Sequence, residues 1–105
     1  MLRLIEQLAG DGEMLDGGTS VALSLGRVHY HLSVYQHFSD LEGEAIPASL
    51  TVEGRVTPVD VIDLQSLRRS RPEVTLRLTD GRLLRCAITS DDGRLRSTER
   101  GMFTV

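Results

Sequence analysis

The 105-residue chain has no lysine, no tryptophan, a single cysteine, and only two tyrosines and two phenylalanines. Without lysine there is no P-loop lysine, no Schiff-base lysine and no other tunable amine, so arginine takes over the positive charge with twelve residues. Cys86 on its own excludes an intramolecular disulfide and a zinc site built from several thiolates. It lies in an alternating apolar run and reads as a small buried hydrophobe. No apolar run approaches the roughly 20 residues that a membrane-crossing helix needs. The opening Met1-Leu2-Arg3-Leu4-Ile5-Glu6 lacks the long apolar region of a secretion signal. A cytoplasmic, bacterial-type protein with no membrane partner is the expectation.

What is present is a globular composition without linker, repeat or low-complexity tract, so residues 1–105 are expected to form a single β domain. The net charge of −3 disfavours nucleic acid as a partner. That charge is unevenly spread: residues 1–63 hold three arginines and ten acids, whereas residues 64–105 hold nine arginines and five acids. Either the fold presents an acidic and a basic side, or folding interleaves the halves and neutralises the contrast.

Along the chain the dominant period is two. The opening stretch fits either a helix, through Leu4, Ile5 and Leu8, or a strand, through Leu2 and Leu4. Asp11 and Asp16, beside Gly10, Gly12, Gly17 and Gly18, read as turn residues. Val21, Leu23 and Leu25 share one face, and Val28, Tyr30, Leu32 and Val34 continue on the opposite parity. Such a slip requires a turn or a bulge. A two-residue turn at Gly26-Arg27 would pair Leu25 with Val28, Leu23 with Tyr30 and Val21 with Leu32, so a hairpin is the preferred reading there. Residues 39–47, with Asp40, Glu42 and Glu44 around Gly43, read as an acidic loop. In the next run Leu50, Val52 and Val56 face inward and Thr51, Glu53 and Arg55 outward, with Gly54 marking a close backbone approach or a barrel corner.

Thr57-Pro58-Val59-Asp60 has the form of a helix start, and Val61, Leu64 and Leu67 keep helical spacing over about three turns, with Arg68 and Arg69 at the negative end of the dipole. In the last third a three-residue loop at Thr79-Asp80-Gly81 pairs Leu76 with Leu84 and Val74 with Cys86. Asp91-Asp92-Gly93 is the next turn, followed by a strand through Leu95 and Ser97, and residues 102–105 close a sheet edge. Six to eight short strands and one short helix predict a mainly β fold, a small barrel or a rolled antiparallel sheet. One helix cannot cover both faces of a flat sheet, so the sheet must close on itself or dimerise.

Three constellations carry possible chemistry. His29 and His31 lie two apart on a strand, so both project to one face roughly 6.5 to 7 Å apart; with Tyr35 nearby they form a candidate metal pair that needs a third ligand from a neighbouring strand. His37 stands on the order of 26 Å from His29 along an extended strand and does not join them. The acids read as turn and helix-dipole residues rather than as a catalytic pair, so no catalytic residue is assigned and an enzyme is not the preferred reading. The arginines of the last third form the third set. Arg77 and Arg85 point away from the core, Arg68, Arg69 and Arg71 lie upstream and Arg94, Arg96 and Arg100 downstream; Arg77, Arg85, Arg68 and Arg69 lead as candidates for holding a phosphate, a nucleotide or another anionic small ligand. Taken together, the leading functional expectation is a non-enzymatic small β-barrel that binds a protein partner or itself through an exposed sheet face or edge. Metal binding by His29 and His31, or anion binding by the arginine face, is the alternative, and no cofactor is specified.

Overall fold

The computed structural model describes residues 2–16, 23–41, 43–70 and 73–103. Six strands and one helix follow in the order β1 (Leu2–Asp16), β2 (Leu23–Leu41), β3 (Glu44–Pro58), α1 (Leu64–Ser70), β4 (Val74–Arg77), β5 (Leu83–Ile88) and β6 (Arg94–Phe103). All neighbours are antiparallel, and the sheet closes into a barrel in the order β1-β2-β3-β6-β5-β4. Closure removes the open-sheet problem posed by the alternating pattern within the barrel wall, where the apolar parity of each strand faces one interior; Leu50, expected inward with Val52 and Val56, lies outside that wall and is half exposed. Val28, Leu32, Val56, Leu76, Leu84 and Cys86 have no exposed surface in that interior. Burial pushes the Cys86 thiol up to about 12, so it stays protonated and inert.

The first three strands form a long meander, and only part of it belongs to the barrel wall. β1 meets β4 over Glu13, Met14 and Leu15, and β3 meets β6 over Glu53, Gly54 and Arg55. The rest of the meander extends past these two seams as an arm, which accounts for a molecule 50 Å long and 28 by 24 Å across. On the arm Leu2, Leu4, Ile5 and Leu50 are each about half exposed. The arm also holds polar contacts of its own: the guanidinium of Arg3 lies 5.5 Å from the Phe38 ring centre, and His37 Nε2 is 2.6 Å from Thr51 Oγ1.

The last third follows the sequence pattern closely. Val74 pairs with Cys86 and Leu76 with Leu84, and the loop closes through Gly81 N–H to Leu78 O and Leu78 N–H to Arg82 O. Gly81 and Gly93 take φ of 91° and 93° in their two turns, a conformation that side-chain-bearing residues avoid. Met102 and Phe103 end β6 paired with Leu84 and Leu83 of β5, whereas the pairing of β6 with β3 stops at Arg96; Thr104 and Val105 lie outside the described residues.

Four expectations are corrected. Gly26-Arg27 is not a hairpin turn: β2 runs unbroken through it, and β1 pairs along its whole length. The parity slip is absorbed as a bulge between the Met14–Gly26 and Leu15–Ser24 pairs, with Gly26 at φ 138°. A partner strand as long as β1 rewards continuous pairing, which a turn at this point would forfeit. The expected pairing of Val21 falls outside the described residues.

Second, Gly10, Asp11, Gly12 and Asp16 are strand residues of β1 rather than turn residues. Gly10 and Gly12 leave room for the Tyr30 ring, which a Cβ at either position would crowd to about 3 Å. Gly17 and Gly18 are not among the described residues. Third, the acidic loop shrinks, because strands continue to Leu41 and resume at Glu44, with Gly43 at positive φ between them; Glu42 lies outside the described residues. Fourth, the helix starts later and is shorter. Thr57 and Pro58 end β3, Val61 is fully exposed, and Asp63 is the cap, accepting from Ser66 N–H at 3.1 Å through Oδ1. Asp60 instead bonds the Arg27 backbone N–H and guanidinium. Leu64 and Leu67 do belong to the core, and Ile62 packs against it.

The charge asymmetry is interleaved in part. Arg77 pairs with Glu13, Arg82 with Glu6, Arg96 with Glu53 and Asp92 with Arg55, each bond joining one half of the sequence to the other.

Candidate functional site

Register alone builds a lattice of polar side chains on the outside of the barrel. Residues paired across antiparallel strands lie side by side on one face, about 5 Å apart, and successive rows along a strand are about 7 Å apart. One row runs Ala9, His31, Arg55, Arg94 across β1, β2, β3 and β6. The next runs Gln7, Ser33, Glu53, Arg96, and on the other side Asp11, His29 and Thr57 form a third. Together with Tyr35, the β2, β3 and β6 members of these rows line a groove of about 780 Å³, within the ~300–1,000 Å³ span of small-molecule sites.

Local sequence explains why the groove lies here. Gly54 sits at the centre of the β3–β6 seam, opposite Leu32 on one side and Leu95 on the other. A Cβ at this position would collide with the His31 carbonyl oxygen and come within 2.9 Å of Leu32 Cα. Absence of that atom lets β2 and β3 approach closely and turn the barrel corner, which brings Arg94 and Arg96 of β6 beside the β2 face.

The electrostatics of the central row are unusual. Arg55 and Arg94 are direct cross-strand neighbours, and like charges so placed repel. Asp92, from the turn before β6, lies between them: its Oδ2 is 3.1 Å from Arg55 Nη2 and 3.9 Å from Arg94 Nε. The Ser90 hydroxyl, and after it Arg55 and Arg94, holds the Asp92 carboxyl below its ordinary range. In the adjoining row Arg96 Nη2 is 3.3 Å from Glu53 Oε1. All five of these side chains are between 48% and 67% exposed, so their ion pairs are weak.

His29 and His31 do share a face, as their spacing requires, and both line the groove. His29 contacts Asp11 through Nδ1. Among the described residues no group of three or more His, Cys, Asp or Glu side chains is placed to hold a metal ion, so the pair has no third protein ligand there. His37 is remote on the arm, bonded to Thr51.

The four leading arginines are not brought together. Arg77 on β4 pairs with Glu13 and faces a separate pocket of about 360 Å³. Arg85 on β5 is mostly buried beside Glu73, whose carboxyl it holds below the usual range. Arg68 bonds Asp91 at 3.0 Å, and Arg69 is exposed in the last turn of α1. Arg71 and the Arg100 side chain lie outside the described residues. Of the wider arginine set, Arg94 and Arg96 are the ones that reach the groove among the described residues.

Arg55 is the groove residue that sequence reasoning did not single out. Its signal was the outward parity it shares with Glu53 beside Gly54. What that parity cannot supply is the partner, since Arg94 lies 39 positions further along the chain. No helix is long and apolar enough to cross a membrane among the described residues. No protein-family profile, no curated protein and no solved structure matches the chain.

Proposed function

We propose that the protein is a non-enzymatic binding module whose groove on the outer face of β2, β3 and β6 takes an anionic, phosphate-bearing small molecule. The observation that carries this reading is the directly opposed Arg55–Arg94 pair, with His31 next in the same row. Two guanidiniums set side by side call for an oxyanion between them, a place that the exposed, singly charged Asp92 carboxylate takes here and that phosphate oxygens would suit through the planar forks.

A thermal-shift titration tests it. Phosphate, adenosine monophosphate and adenosine triphosphate should raise Tm in a concentration-dependent and salt-sensitive manner, with about 100 Kd of ligand adding about 2.7 kcal/mol. Arg55→Ala and Arg94→Ala should each abolish most of the shift. No shift with any of these ligands, or an undiminished shift in both variants, refutes the reading. A chelator should leave Tm unchanged; a drop in chelator that His29→Ala plus His31→Ala removes would favour the metal site instead.

A second reading, association through a sheet edge, is favoured by the arm. Beyond its three-residue seam with β4, the outer edge of β1 has no strand partner among the described residues, and Leu2, Leu4 and Ile5 lie exposed along it. Light scattering at rising concentration should then show a dimer, and Leu4→Arg plus Ile5→Arg should return it to a monomer with Tm little changed. A monomer at all concentrations removes this reading.

A further inference from the structure

We infer that the ligand of the groove carries two phosphate-type anions about 7 Å apart, one for the Arg55–Arg94 pair and one for Arg96. This inference rests on the anion-binding reading above and specifies the class of ligand. Its basis is that the protein's own carboxylates already occupy both positions. Asp92 is received by two guanidiniums from different strands, and Glu53 by Arg96 one row further along. Arg94 and Arg96 are two apart on β6 and project to the same face, so the two anion positions are separated by one strand repeat.

Each carboxylate brings a single negative charge and is tethered to its own backbone, whereas a phosphate brings more charge and three acceptor oxygens. A ligand with phosphates at this spacing displaces both acids at once, and one with a single phosphate displaces only one. On the β2 side of the two positions, His31 stands opposite Arg55 and Ser33 opposite Glu53, one in each row, offering hydrogen bonds to the ligand beside its anions. The exposure of all the participating acids and arginines means that displacement needs side-chain rotation alone.

A small bisphosphorylated molecule fits this site better than a nucleic acid strand. The chain as a whole is acidic, and the groove offers Tyr35 but no continuous aromatic platform on which successive bases would stack.

Isothermal titration with three probes decides the matter: adenosine 3′,5′-bisphosphate, adenosine 5′-monophosphate and inorganic pyrophosphate, whose phosphates are adjacent. The bisphosphate should bind at least about tenfold more tightly than either of the others. Arg96→Ala should reduce it to the level of the monophosphate while leaving monophosphate affinity nearly unchanged. Asp92→Asn and Glu53→Gln should both tighten bisphosphate binding, because each removes a resident competitor. Equal affinity for all three probes, or an equal loss for mono- and bisphosphate in Arg96→Ala, overturns the two-anion inference and leaves the anion-binding reading intact. Failure of every probe to bind overturns the anion-binding reading itself. Tighter binding of an oligothymidylate of about eight nucleotides than of the bisphosphate also overturns the inference, in favour of a single strand.

Discussion

Gly54→Val is expected to cost about 4 kcal/mol or more, enough to leave a domain of this size largely unfolded near physiological temperature. The smaller Gly54→Ala should cost about 2 to 3 kcal/mol, a drop in Tm of roughly 10 to 20 °C. The reason lies in the backbone. A Cβ on Gly54 meets the His31 carbonyl oxygen and Leu32 Cα, neither of which can rotate aside as a side chain would. Relief therefore demands that β2 and β3 separate, and Gly54 is also the middle residue of the three that join β3 to β6. Widening the corner breaks that seam and the Val56 N–H to Gly93 O bond just beyond it. Urea denaturation of the two variants checks this, and a Gly54→Ala change within about 0.5 kcal/mol of the parent would contradict it. The same substitution should abolish ligand binding even in the folded fraction, since His31 and Arg55 are positioned by the strands that it pushes apart.

The second large effect is expected at Tyr30. Its ring packs inside the wall against Gly10 and Gly12, the only two residues of β1 that give it room without a side chain. Its hydroxyl accepts from Thr79 N–H at 3.2 Å and donates to Thr79 Oγ1 at 3.3 Å; Thr79 Oγ1 in turn donates to the Asp11 carbonyl at 2.6 Å. One side chain thus ties β2, β1 and the β4–β5 loop together beside the seam where β1 and β4 share only three residue pairs.

Tyr30→Ala should cost about 3 to 5 kcal/mol, as for other large aromatic truncations in a core. Tyr30→Phe keeps the ring and loses the bonds, for about 1 to 2 kcal/mol. In hydrogen exchange the Tyr30→Phe variant should lose protection first at the β1–β4 seam, at Met14 and Leu15, and last at the β4–β5 ladder. Uniform loss across the barrel would mean that the Tyr30 hydroxyl does not hold the seam.

Both positions show what was readable along the chain. Gly54 interrupts an otherwise regular apolar parity, and such an interruption in a strand points to a close backbone approach whatever the partner. The register of the β4–β5 hairpin was equally local: Asp80 and Gly81 favour a left-handed residue at the end of a three-residue loop, and only one loop length sets both apolar rows against each other. Gly26 was misread for the converse reason. A bulge and a hairpin turn leave the same parity slip in one strand, and they differ only in whether a distant strand is there to pair across it. The helix start was misread because Thr57-Pro58 meets the local rules of a cap, but β3 pairing with β2 extends as far as Pro58 and competes for the same backbone groups.

The groove divides in the same way. Strand periodicity placed His29 and His31 on one face and Arg55 outward, with Arg94 and Arg96 only downstream of the Arg77–Arg85 hairpin. It said nothing of their grouping, and the arginines favoured from sequence, Arg68, Arg69, Arg77 and Arg85, are dispersed around the barrel, three of them on acids of their own.

By itself, then, the sequence determined a β protein with arginine as its fixed cation, a core drawn from one parity of each strand, an inert cysteine and the local turns that φ-permissive glycines allow. The tertiary structure decided which strands are neighbours: that β1 to β3 make one long meander, that β6 returns to β3, and that Arg55 therefore stands against Arg94. Side-chain direction follows from a backbone repeat of two residues and is written locally, whereas cross-strand neighbours are selected by the closure of the whole barrel around its core.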